Sequence, residues 1–99
     1  MTGEKIKLTP DACFYHDEKN ENLIIEVELP GVPKSSVNVD ASKTGLCISG
    51  EREDIMYSGC YMLGHEITPE KAEAKYDNGF LRIKVPFRKT GEKVKIEVK

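Results

Sequence analysis

The side chains able to do chemistry in this 99-residue chain are few and scattered. Three cysteines (Cys13, Cys47, Cys60) and two histidines (His16, His65) are its thiols and imidazoles. No two cysteines form a C-x-x-C pair, and no cysteine–histidine spacing matches a zinc site. An odd cysteine count also suits a secreted disulfide framework poorly. The thiols therefore read as reduced, small buried hydrophobes in a cytoplasmic protein, and the histidines as surface residues. His65 stands beside Glu66, but neighbours on a strand point to opposite faces and make no acid–base pair. Ser35, Ser36, Ser42, Ser49 and Ser58 lack the G-x-S-x-G elbow of a nucleophile. The glycines are dispersed and form no phosphate loop. Carboxylates fall on outward strand positions and in the run Glu51–Asp54, with no spacing that converges two of them on a cleft. The expectation is a protein without catalytic residues, cofactor or metal.

Composition narrows the class. Fifteen basic and seventeen acidic residues are interspersed and leave a net charge of −2, which lacks the basic footprint of a nucleic-acid binder. No apolar run approaches the ~20 residues of a membrane helix, and no signal-peptide core opens the chain. Valine, isoleucine and threonine are abundant, alanine is sparse and tryptophan is absent, a balance that favours strands.

Chemistry being scarce, the elements that could present a surface matter more. Met1 to Asp11 read as a short polar arm with a strand at Ile6–Leu8. Strand composition follows at Ala12–His16 and a polar turn at Asp17–Asn22. Leu23, Ile25, Val27 and Leu29 then share one face, with Glu26 and Glu28 on the other, a half-buried strand that Pro30-Gly31-Val32-Pro33 stops. Ser36–Ala41 and Leu46–Gly50 alternate in the same way, and from Ile55 to Ile67 the pattern weakens, with Tyr57, Tyr61 and Leu63 on one face. Thr68-Pro69 signals one helical turn at most. Asp77-Asn78-Gly79 is a hairpin turn, because Asn-Gly accepts the positive φ values of a type I′ turn. After it, an aromatic (Phe80) and Leu81 are expected to enter the core, with Ile83 and Val85 facing in and Arg82 and Lys84 facing out. Lys93–Lys99 alternates to the chain end. Short strands with turn signals every 8–12 residues predict an all-β, antiparallel, immunoglobulin-like β-sandwich of about seven to eight strands. The domain limits read as an arm at 1–11, the sandwich at 12–87 and a C-terminal extension at 88–99.

Such a sandwich has edges, and an unpaired edge can accept an extended segment. The stripe Val94-x-Ile96-x-Val98 is either the domain's own last strand or a strand donated to a neighbouring subunit.

These segments resemble the α-crystallin domain of the small heat shock proteins. Ala74-Lys75-Tyr76-Asp77-Asn78-Gly79-Phe80-Leu81 fits that family's A-x-x-x-N-G-V-L signature through Ala74, Asn78, Gly79 and Leu81, with Phe80 for the usual Val. Glu28-Leu29-Pro30-Gly31-Val32 matches its L-P-G-V strand end, and Leu46-Cys47-Ile48-Ser49-Gly50-Glu51-Arg52 its L-x-I-x-G-E-R strand. Ile96-Glu97-Val98 stands where the family places a C-terminal I-x-I/V anchor. Three departures accompany the match. Only Glu53 to Met56 separate Arg52 from Tyr57, too few for the loop whose strand many members swap between subunits. Gly59 replaces an arginine that often pairs across the dimer interface, and Leu63-Gly64 replaces a Leu-Pro. The polar arm is also far shorter than the family's hydrophobic N-terminal region. A related CS-type sandwich, an adaptor or co-chaperone module for a specific partner, shares the I-T-P-E-K stretch, while the missing tryptophan and the N-G-F-L and G-E-R motifs favour the heat shock group.

The resemblance implies an ATP-independent chaperone that binds unfolding polypeptides and carries out no reaction. It places a protein-binding groove near Val39, Leu46, Ile48 and Val85, and an anchor at Ile96 and Val98. Its partners would be unfolded or partly folded clients and further copies of the chain, in a homodimer or small homo-oligomer without a swapped loop strand; nucleic acid and membrane are not expected.

Overall fold

The computed structural model describes residues 5–88 and 97–99. Its strands are β1 (Ile6–Leu8), β2 (Asp11–His16), β3 (Asn22–Glu28), β4 (Asn38–Ser42), β5 (Gly45–Arg52), β6 (Ile55–Met62), β7 (Glu73–Asp77) and β8 (Phe80–Pro86). Single 3₁₀ turns at Lys34–Ser36 and Pro69–Lys71 are the helical elements among the described residues. One sheet has the order β1-β6-β5-β4 and the other β2-β3-β8-β7, so the β-sandwich expected from the alternation is the fold observed.

Period-two patterning decides which side chains face between the sheets. On β3, Leu23, Ile25 and Val27 are buried; on β8, Leu81, Ile83 and Val85; on β5, Leu46 and Ile48. With Leu29, Val32, Tyr57 and Ile67 they make one continuous core. Full burial of each large aliphatic is worth about 1.5–3 kcal/mol, so this layer dominates stability. Ile24 is also buried, on the opposite face of β3, between its cross-strand neighbours Tyr15 and Lys84.

Three details differ from the sequence reading. β1 runs parallel to β6, pairing Ile6 with Ile55 and Leu8 with Tyr57, whereas every other ladder is antiparallel. The two strands lie far apart in the chain, so no hairpin dictates their direction, and the Ile6 N–H enters the ladder on the Asp54 carbonyl at 2.7 Å. Phe80 does not enter the core: alternation that turns Leu81 inward leaves Phe80 42% exposed. The third concerns the cysteines, below. Most of Lys93–Lys99 lies outside the described residues, and Glu97 to Lys99 carry no strand.

Candidate functional site

Three motifs distant in sequence meet at one end of the sandwich. Gly31 (φ +77°) and Gly79 (φ +88°) hold left-handed backbone, and Asn78 (φ 48°) completes the turn between β7 and β8. A Cβ on Gly79 would lie 3.3 Å from the Pro30 Cα, so the signature turn and the L-P-G-V bend touch backbone to backbone. The Leu29 N–H donates to the Gly79 carbonyl at 2.7 Å. Arg52, closing the G-E-R strand, lies across Gly31 and donates from Nε to the Pro30 carbonyl at 2.8 Å. The Tyr76 hydroxyl reaches the Val32 carbonyl at 2.6 Å and the Leu29 carbonyl at 3.0 Å. Burial pushes the Tyr76 phenol above its ordinary value, partly offset by the Gly79 N–H. This end, the signature end, is fastened by hydrogen bonds that tie Tyr76, Arg52 and Gly79 to the Leu29–Val32 bend.

Beside it opens one flank of the sandwich, between the edge strands β4 and β7. Inner-face residues of these strands stay accessible: Val39 is 36% exposed, and Ala41 and Ala74 are exposed. Ile48 and Leu46 lie behind them as the register partners of Val39 and Ala41, at 1% and 4% exposure. Val85 is buried on β8 opposite Leu23. Of the four groove residues expected from the sequence, Val39 alone reaches the surface. The other three are core, because their strands β5 and β8 are inner strands whose inward faces are covered by the facing sheet. Of the anchor residues, Val98 is 92% exposed and Ile96 lies outside the described residues. In the signature, Asn78 and Gly79 make the turn, Leu81 is core, and Ala74 faces the open flank.

The opposite end, on the β2–β6 side, is held differently. Phe14 and Tyr61 stack with ring centroids 4.9 Å apart, and Phe87 lies edge-on to His16 (4.7 Å) and His65 (5.9 Å). With Leu23, Leu63 and Met62 these rings line a recess of about 500 Å³. The Tyr61 hydroxyl folds back over Gly59, so a Cβ at Gly59 would meet it at 2.5 Å; it is buried and has no hydrogen-bond partner among the described residues. Glycine at this position makes room for the tyrosine. Nothing in the sequence joins Phe14, Tyr61 and Phe87, because stacking of the two sheets brings them together.

The cysteines overturn the sequence reading. All three are exposed, and Cys47 and Cys60 are joined as a cross-strand disulfide between β5 and β6, leaving Cys13 as the free thiol. The burial of Leu46 and Ile48 explains this: alternation that turns them inward places Cys47 outward, opposite Cys60. His16 is in contact with Asn20 through Nδ1, and Glu66 pairs with Arg88 at 3.2 Å. Among the described residues no three His, Cys, Asp or Glu side chains gather as metal ligands, and no helix is long and apolar enough to cross a membrane. Among the described residues the arrangement offers apolar surfaces, and no three metal-ligating side chains converge.

Comparison with known proteins agrees. The Hsp20/alpha crystallin family model matches residues 15–99. A probable 15 kDa heat shock protein of Leptospira interrogans is 33% identical across the whole chain, which spans 89% of that protein. The 18 kDa antigen 2 of Mycobacterium avium is 26% identical, over 79% of this chain and 67% of its own. Among solved structures, heat shock protein 16.0 from Schizosaccharomyces pombe superposes with a TM-score of 0.70 at 26% identity, covering 93% of this chain and 99% of that one. A small heat-shock protein from Xylella fastidiosa shares the fold, with a TM-score of 0.71 at 18% identity. An all-β sandwich whose signature, L-P-G-V and G-E-R motifs lock together defines an α-crystallin-type domain. The chain belongs to the Hsp20/alpha crystallin family of small heat shock proteins. That membership supports a chaperone role, independent of ATP and not enzymatic.

Proposed function

We propose that the chain is a cytoplasmic holdase that takes up unfolding polypeptides on the β4–β7 flank and keeps them from aggregating. The observation that supports this reading is Val39, an inward-facing residue of an edge strand left one-third exposed over the buried Ile48. An extended apolar segment can add to that edge with backbone hydrogen bonds and place alternate side chains beside Val39 and Ala41. Such binding lowers the free concentration of aggregation-prone chains by mass action, with no nucleotide needed. Clients share the flank with the Ile96-x-Val98 anchor of another copy, in a homodimer or small homo-oligomer. The two-residue turn Glu53-Asp54 between β5 and β6, which leaves no room for a swapped strand, favours a second reading: a CS-like adaptor binding one specific partner.

The test is suppression of heat-induced aggregation of an unrelated substrate, without ATP, followed by light scattering. The intact chain is expected to suppress it at equimolar subunits. Val39→Asp should lower its capacity several-fold at unchanged melting temperature, since the residue is already partly in water. No suppression by the intact chain overturns the holdase reading, and a solution mass of one subunit up to millimolar concentration, measured separately, supports the adaptor.

A further inference from the structure

The aromatic end carries a chemical feature that client binding leaves unused. We propose that Cys47 and Cys60 are a reversible dithiol–disulfide couple, a modification site for low-molecular-weight disulfides such as glutathione disulfide, that fastens the β5–β6 hairpin at this end. The hairpin sets the geometry. Arg52 and Ile55 flank its two-residue turn and exchange both ladder hydrogen bonds, so Cys47 and Cys60, five residues further along each strand, form a non-hydrogen-bonded pair. Side chains approach most closely at such pairs, and here the Cα atoms are 4.0 Å apart. Both cysteines are exposed on the outer face of the sheet, where a small oxidant or reductant reaches them directly. In a reducing compartment this pair rests as thiols and closes when the glutathione pool turns oxidising.

The reaction balances without a group from outside the couple and its oxidant. The thiolate of one cysteine attacks a sulfur of glutathione disulfide, breaking its S–S bond and releasing one glutathione thiolate. The second cysteine, as thiolate, attacks the protein sulfur of the mixed disulfide and expels the other glutathione. The two cysteines lose two electrons and two protons, and glutathione disulfide gains them as two thiols.

The consequence is local. Next to the pair, Leu46 and Tyr61 are opposite each other, and Gly45 and Met62 end the hairpin, with Met62 95% exposed. Leu46, Tyr61, Met62 and Ala41 border a second recess of about 440 Å³. Opening the disulfide leaves these last pairs to backbone hydrogen bonds alone, with the Leu63 N–H on the Thr44 carbonyl at 2.8 Å just beyond them. They then open more often and bare the apolar wall, whereas the hydrogen bonds of the signature end hold no sulfur and stay closed.

The experiment uses the full chain carrying Cys13→Ser, equilibrated with glutathione disulfide or with dithiothreitol, quenched with N-ethylmaleimide and weighed by mass spectrometry. Two labels are expected after dithiothreitol, and none after glutathione disulfide, with a mass about 2 Da below the unlabelled reduced chain as two hydrogens leave. Two labels, or two stable glutathione adducts, after oxidation overturn the couple. Amide hydrogen exchange tests the fastening: protection of the Leu46 and Tyr61 amides should fall at least about tenfold on reduction, with the Leu29 amide unchanged. Cys47→Ser with Cys60→Ser should reproduce the reduced pattern in both conditions. Equal protection before and after reduction overturns the fastening, and equal loss at both ends overturns its confinement to one end.

Discussion

The two ends of this sandwich solve the same problem with different forces. At the signature end, backbone groups of the Leu29–Val32 bend are held by Tyr76, Arg52 and the Gly79 carbonyl, at contacts of 2.6–3.0 Å. At the aromatic end, Phe14 and Tyr61 pack at a tilt and Phe87 lies edge-on to two histidine rings around a recess, and one buried hydroxyl has no partner among the described residues. Hydrogen bonds to fixed carbonyls tolerate little displacement, whereas ring contacts slide at small cost. One end is therefore built to stay shut, and the other to adjust or to be fastened by Cys47 and Cys60. The open β4–β7 flank runs between them, so a client seated there rests on one rigid and one adjustable support.

The largest effect expected to separate the ends comes from deleting a core side chain. Leu29 is fully buried beneath the signature end, and Leu29→Ala should cost about 3 kcal/mol in urea unfolding. Phe14 is half-buried and faces a recess into which neighbours can relax, so Phe14→Ala should cost roughly half as much. The reverse order would break the comparison.

Two conservative substitutions sharpen it by sign. Tyr76→Phe removes the donor on the Val32 carbonyl, while the Leu29 carbonyl keeps the Val32 N–H, and should destabilise by about 1–2 kcal/mol. Tyr61→Phe removes a hydroxyl without a partner among the described residues and should be neutral or stabilise by up to about 1 kcal/mol. Equal losses in the two variants, measured by thermal unfolding under one redox condition, would show that both ends depend on polar contacts.

The difference also governs what could be read from the sequence. The signature end is legible because its backbone requirements are local: Pro30-Gly31 and Asn78-Gly79 announce the bends, and alternation announces Leu29 and Leu81. The meeting of Arg52 with Gly31 was not legible, since no spacing rule joins residues in different hairpins. The aromatic end was opaque for that reason throughout. Phe14, Tyr61 and Phe87 become neighbours only when the two sheets stack. Half of the disulfide was within reach: the pattern Leu46-x-Ile48 turns Cys47 outward. Its partner needed the register of β5 on β6, which follows only once the charged run Glu51–Asp54 is known to contain a two-residue turn. The groove suffered from the same gap. Patterning identified Leu46, Ile48 and Val85 as inward-facing, but exposure depends on which strand is the edge, and that favours Val39, Ala41 and Ala74.

The smallest expected effect concerns acid. The turn from β2 to β3 lies at the aromatic end, where the Asp17 carboxylate accepts from the Asn22 side chain at 2.7 Å and from the Glu21 and Asn22 N–H groups at 2.8 and 3.1 Å. The side-chain bond from Asn22, followed by its backbone N–H, holds the Asp17 carboxyl below its ordinary value of 3.8. A carboxyl depressed by folding stabilises the folded state above its unfolded pKa, and that contribution fades as pH falls through the lower, folded pKa. Between neutral pH and about pH 4 the contribution should hold, and below that it should be lost. Asp17→Asn keeps one acceptor oxygen and removes the titration, so its stability should fall less steeply with acid than that of the parent chain. The Asn22 amide resonance should titrate with a midpoint below 3.8 in the parent and show no such step in the variant. If acid loosens this turn first, exchange at Asn22 should quicken while Leu29 remains protected, the same asymmetry that reduction of Cys47 and Cys60 should produce. Simultaneous loss at Asn22 and Leu29 would mean the two ends unfold as one cooperative unit.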